Sequence, residues 1–182
     1  MNEYRVALRN VGKIDPTSID DYIRAGGYKA LEKARAMEQE TIIGEIERSG
    51  RLRGRGGAGF STGFKWRGAY QAPGDYKYVI CNADEGEPGT YKDRIILEND
   101  PHTLLEGMLI CAHAVGASEA IIYCRAEYPE VIKLLKHSID AARERGLTGS
   151  VKMSVHSGAG AYVCGEETAL LNSWRGNEVS PG

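Results

Sequence analysis

The stretch YKYVICNAD, residues 76–84, decides how the chain is read. Tyr78, Val79, Ile80 and Cys81 form a compact aromatic and β-branched run, and Asn82-Ala83-Asp84 follows with turn chemistry. A run this short and this apolar predicts a buried strand at about residues 77–82. Downstream the period lengthens. In HTLLEGMLICAHAVGA (102–117), Leu104, Leu105, Met108, Leu109 and Ala112 fall on one side of a helix. EAIIYCR (119–125) is a second short apolar strand. PEVIKLLKHSIDAARERG (129–146) is an amphipathic helix: Pro129 sits in its first turn, Val131, Leu134, Leu135 and Ile139 face inward, and Gly146 follows its end. KMSVHSG (152–158) is a third strand, after which GAGAYVCGEETALLN (158–172) turns into a last helix.

Strands alternating with helices predict an α/β fold: a Rossmann-like parallel sheet covered by helices. Short helices precede it. In DPTSIDDYIRAGG (15–27), Asp15, Thr17 and Ser18 are candidate caps, Ile19, Tyr22 and Ile23 share a face, and Gly26-Gly27 stops the helix. YKALEKARAM (28–37) repeats the pattern with Ala30, Leu31 and Ala34, and ETIIGEIERSG (40–50) with Ile42, Ile43 and Ile46 before Gly50. The expected division is an N-terminal helical segment over 1–50 and a ligand-binding α/β domain over 51–173, with 174–182 standing apart.

The chain has 182 residues, formal charge −2, and 42% hydrophobic against 26% charged residues, an ordinary globular composition. This balance offers no bulk attraction to nucleic acid or to an anionic membrane. The apolar stretch around residues 103–117 is too short to span a bilayer, and the start lacks the apolar core of a secretory signal. A cytoplasmic protein is expected, able to dock on a membrane complex through partners. Cys81, Cys111, Cys124 and Cys164 lack zinc or iron–sulfur spacing and read as buried thiols, so no metal is expected. His102, His113, His137 and His156 are scattered, fit no triad and read as structural.

Ligands of parallel sheets bind beyond the carboxyl ends of the strands. Three segments compete for that role. GRGGAGFSTGFKW (54–66) is either a flexible hinge or an anion nest, with Gly54, Gly56, Gly57 and Gly59 allowing close approach and Arg55 and Lys65 adding charge. NADEGEPG (82–89) places Asn82, Asp84, Glu85 and Glu87 after the first strand, as a solvated acidic turn or as partners for hydroxyls and a heterocycle edge. GAGAYVCGEE (158–167) puts Glu166 and Glu167 at a helix start, where the macrodipole alone accounts for them or a ligand is received beside Tyr162.

Together, SGRLRGRGGAGFSTGFKW (49–66), YVICNADEGEPGTYKDR (78–94), LENDPHTLLEGM (97–108) and GAGAYVCGEETALLNS (158–173), in this order, resemble the NADH-oxidising flavoprotein subunit of respiratory complex I and the diaphorase subunits of NAD-linked hydrogenases and formate dehydrogenases. The resemblance runs from about Ile14 to Ser173. It implies FMN contacts from Gly54, Arg55, Gly56, Lys65, Asn82, Asp84 and Glu85, completed by Tyr162, Gly165, Glu166 and Glu167. It implies NADH-facing positions at Gly57, Phe60 and Glu87. The implied chemistry is hydride transfer from NADH to FMN and onward electron transfer to iron–sulfur clusters, with no side chain as acid or base. A thioredoxin-like 2Fe-2S subunit and other iron–sulfur subunits are the implied partners. A diaphorase subunit of an NAD-dependent hydrogenase or formate dehydrogenase and an inactive truncated remnant are the competing readings.

Three departures qualify the resemblance. Members continue through more of the flavin site and a cysteine run for a 4Fe-4S cluster, which are absent from these 182 residues. An aromatic that some members carry after the Lys-Trp pair is replaced near Gly68. Residues 174–182, WRGNEVSPG, depart from the family text and are expected to be a frameshifted tail. Weak or absent FMN retention by the isolated chain is therefore expected.

Overall fold

A computed structural model describes residues 5–55, 58–85 and 89–158. Its helices are α1 (Ile19–Arg24), α2 (Lys29–Arg35), α3 (Gln39–Ser49), α4 (Thr62–Gln71), α5 (Arg94–Asn99), α6 (Pro101–Val115) and α7 (Pro129–Glu144). Three strands, β1 (Tyr78–Ala83), β2 (Glu119–Arg125) and β3 (Lys152–Gly158), form one parallel sheet in the order β1-β2-β3. The second and third strands fall on the residues expected, and the first lies one residue beyond its predicted span.

The central strand explains why this sequence makes a sheet. Ala120, Ile121, Ile122, Tyr123 and Cys124 are all buried, so β2 is covered on both faces, as the interior strand of a parallel sheet must be. Side chains alternate along a strand. Ala120, Ile122 and Cys124 therefore share one face and pack with Leu105, Met108 and Leu109 of α6 and Val131, Leu135 and Ile139 of α7. Each such large apolar side chain contributes roughly 1.5–3 kcal/mol by leaving water. Ile121 and Tyr123 occupy the opposite face, with Ile80 against Tyr123.

The N-terminal helices close over α6. Ile19, Tyr22, Tyr28 and Leu31 belong to the same apolar cluster as α6 and β2, while Ala34, Ile42 and Ile43 pack with Ala114. Ser18 caps α1 by accepting from the Asp21 N–H at 3.2 Å, and Gly50 ends α3 in the left-handed conformation, both as expected. Two face assignments are corrected: Ile23 and Ala30 are exposed. Helices this short bury only two positions, so the apolar stripe is narrower than the sequence pattern suggests.

Helices α4 and α5 are not expected from the sequence pattern. Helix α4 is held by tertiary contact. A Cβ at Gly63 would lie 2.8–2.9 Å from Glu47, so only glycine lets α4 approach α3 there. Arg67 then forks onto the Glu47 carboxylate at 3.1 and 2.7 Å.

A polar network lies within the helical layer. Tyr22 donates to Glu106, whose other oxygen accepts from the Leu31 N–H at 3.1 Å. Tyr28 Oη and His102 Nδ1 are hydrogen-bonded at 2.6 Å. Asp100 accepts from Asn10 Nδ2 at 2.8 Å and from Thr103 Oγ1 at 2.7 Å. His102 is thus a structural residue, and burial, reinforced by the charge of His137, lowers its pKa to about 4.

This sets a pH dependence. An unfolded histidine titrates near 6.5, so between that pH and about 4 the unfolded chain binds the extra proton. The contribution is complete above the unfolded value and is lost as pH falls through the folded one. Urea midpoints between pH 7 and 4 should fall more steeply for the wild type than for His102→Gln, with up to about 3 kcal/mol more lost by the wild type across that range. Parallel declines would contradict it.

Candidate functional site

Parallel pairing places the carboxyl ends of all three strands at one edge. Ala83 is in register with Cys124, and Arg125 with Gly158. Asn82 is exposed at the end of β1, and its Oδ1 accepts from the Asp84 N–H at 3.1 Å, an Asx-type turn that redirects the chain across the edge. Asp84 is half-buried and ion-paired with Arg125 Nε at 3.5 Å. Gly158 closes the edge on β3, where a Cβ would lie 2.6 Å from the Tyr123 hydroxyl.

Glu85 is buried, and its carboxylate is occupied. It accepts from the backbone N–H groups of Lys92 (3.1 Å), Asp93 (2.7 Å) and Arg94 (3.0 Å), which are the opening of α5. Burial opposes the charged carboxylate, but these three donors outweigh it and hold the pKa below its ordinary value. Residues 92–94 are gathered around this one carboxylate. Glu85 reads in the sequence as a ligand contact, and in this structure its oxygens also serve the loop.

The glycine-rich segment reaches the same edge. Lys92 Nζ lies 3.5 Å from the Arg55 carbonyl oxygen. Gly54 N–H donates to the Phe60 carbonyl at 2.8 Å, and Arg53 pairs across to Ser61, so the segment is a closed loop. Gly59 has φ of 60°, as its tight return requires. Ser61 caps α4, on which Lys65 stands 5.4 Å from the centre of the Phe60 ring. Phe60 and Phe64 are exposed with centroids 5.8 Å apart and ring planes tilted by 50°, an apolar patch beside the loop.

Of the residues singled out in the sequence, Gly54, Arg55 and Phe60 lie on the glycine-rich loop, Lys65 on α4 beside it, Asn82 at the end of β1, and Asp84 and Glu85 just after β1. Gly56, Gly57, Glu87, Tyr162, Gly165, Glu166 and Glu167, with the last predicted helix and the tail, lie outside the described residues. Arg125, Lys92 and Arg94 escape sequence reasoning. The signal for Arg125 was available, because it ends a strand at the ligand edge.

Other features lie elsewhere. A cleft of about 560 Å³ is lined by Arg35, Gln39, His113, Ser118 and Val151 among others, at the amino ends of β2 and β3, the opposite edge of the sheet. Burial pushes the Cys81 and Cys111 thiols up to about 12, which keeps them protonated and poorly nucleophilic. No helix among the described residues is long and apolar enough to cross a membrane.

A family model described as the Nuo51 FMN-binding domain matches residues 46–182. The chain is 52% identical to the F-type NADH-quinone oxidoreductase subunit of Aquifex aeolicus, covering 96% of this chain and 42% of that protein. It is 49% identical to the NADP-reducing hydrogenase subunit HndC of Solidesulfovibrio fructosivorans, covering 98% of this chain and 38% of that one. The chain thus spans less than half the length of these curated relatives. Among solved structures, an NAD+-reducing [NiFe]-hydrogenase in the H2-reduced state superposes with a TM-score of 0.76 at 35% identity, over 95% of this chain and 28% of that one.

The loop's dependence on one carboxylate is measurable. Glu85→Ala should cost about 1–3 kcal/mol in urea unfolding by stranding the three N–H donors, and Glu85→Gln less. An alanine variant as stable as the wild type would show that the donors find other partners.

Proposed function

This chain belongs to the Nuo51 FMN-binding domain family, and from that premise we propose that it supplies the flavin- and nucleotide-facing edge of an NADH-oxidising flavoprotein subunit of the NADH-quinone oxidoreductase type. The observation that carries the proposal is the meeting of the glycine-rich loop and the β1–α5 loop at the carboxyl edge of the sheet, where Lys92 reaches Arg55.

The side chains collected there fit FMN by type. Arg55 and Lys65 are cations suited to a phosphate, and the glycine-rich loop would add backbone N–H groups to them. The Asn82 amide and Asp84 carboxylate are partners for ribityl hydroxyls and the polar rim of a flavin. Gly54 and Gly56 would allow close approach, and Gly57, Phe60 and Glu87 would face the nucleotide, with the Phe60 ring offered for stacking. Tyr162, Gly165, Glu166 and Glu167 would complete the pocket from beyond β3. Glu85 would serve this site by shaping its loop.

When bound, FMN supplies hydride acceptance from NADH and single-electron release toward iron–sulfur centres. The chain's own residues would hold the two partners in register, and none is required as an acid or base. The electrons would pass to a thioredoxin-like 2Fe-2S subunit and further iron–sulfur subunits, in a cytoplasmic assembly peripheral to the membrane. Similarity to the hydrogenase subunit supports a second reading, a diaphorase feeding a different acceptor through the same chemistry.

Titration of the chain with FMN should give saturable quenching of flavin fluorescence, weak enough for the flavin to be lost on gel filtration. Lys65→Gln should weaken it roughly tenfold, the worth of one charge-assisted contact. Absence of saturable quenching, together with absence of NADH–ferricyanide reduction in excess FMN, would overturn the proposal and leave a silent remnant.

A further inference from the structure

We propose that Arg125 is the positioning residue of this edge, holding the β1–α5 loop in the shape that presents Asp84 and Asn82; the inference rests on the function proposed above. Arg125 ends the central strand, where its backbone is in register with Gly158 of β3, one residue beyond the last pairing with β1. Its guanidinium spans two loops. Nε lies 3.5 Å from Asp84 Oδ1, and Nη1 donates to the Glu85 carbonyl at 3.2 Å. Nε and Nη2 also fork onto the Glu127 carboxylate at 3.2 Å each. One cation thereby joins the loop after β1 to the loop after β2.

The contacts continue in series. Arg125 holds the Glu85 backbone, and the Glu85 side chain gathers the N–H groups that open α5. Arg94, at the first turn of α5, stacks 4.7 Å over the ring of Tyr128, which lies in the loop just beyond Arg125. Lys92, between them, reaches the glycine-rich loop at Arg55. A planar fork with several fixed donors is suited to three acceptors at once, whereas an ammonium is a single point of charge. With Arg125 and Asp84 both only partly exposed, their pairing is sheltered from the screening that makes surface pairs weak.

The loop-holding role is read without any ligand. In Arg125→Gln, amide hydrogen exchange at Lys92, Asp93 and Arg94 should accelerate by roughly tenfold or more while the β2 and α6 amides stay protected. Unchanged exchange in those three amides would overturn the inference whether or not flavin binds.

In FMN titration, Arg125→Gln should weaken binding by roughly tenfold and Arg125→Lys should restore part of it. Asp84→Asn should weaken it too, and the double variant should lose no more than the worse single, the mark of two residues acting through one contact. Additive losses would refute action through Asp84. Arg143→Gln, which removes an exposed pair on α7, controls for loss of charge and should bind as the wild type does. Wild-type chain that fails to bind FMN while the exchange result holds would count against the proposed function and leave the positioning role standing.

Discussion

Parallel pairing of β2 with a strand on each side is the constraint from which the site follows. Three strands running the same way must deliver their carboxyl ends to one edge and return through helices. With that edge defined, Asp84, Arg125 and Gly158 become neighbours although tens of residues separate them. The pairing is secured by burial of β2 on both faces and by packing of α6 and α7 over one of them. Hydrophobic burial thus sets the geometry that lets a polar edge exist at all.

The edge is held by different physics from the core. Its described residues are held by charge-assisted hydrogen bonds: Glu85 to three backbone donors, Arg125 to two loops, Lys92 to the glycine-rich segment. Such contacts are directional and orient groups that a greasy loop could not. A flavin and a nicotinamide nucleotide meeting at such an edge would need orientation above all, because the cofactor carries the chemistry. Separation of a stiff apolar scaffold from a polar, positioned edge is how loops come to carry function.

The parts legible in the sequence are those where local pattern and tertiary demand agree. EAIIYCR is apolar without interruption because β2 is an interior strand, and residues 129–144 show a clean stripe because α7 has one buried face. The parts that escaped depend on partners distant in sequence. Thr62–Gln71 has a weak apolar stripe and two glycines, and it is a helix where Gly63 lets it lie against Glu47. The six residues of α5 open on donors gathered by Glu85, seven to nine positions upstream. Ile23 and Ala30 look like core residues by period and are exposed, because a helix of six or seven residues presents its neighbours with fewer than two turns.

From the chain alone came the α/β alternation, the strand positions and the knowledge that polar and glycine-rich segments gather after strands. These follow from periodicity and from the rule that parallel strands feed one edge. Tertiary structure decided what each polar residue does there. Glu85 and Asp84 are adjacent carboxylates of the same loop, yet one faces inward to three backbone donors and the other pairs with Arg125. Local sequence cannot separate them, because the direction of a carboxylate is set by donors brought near it only when the sheet closes.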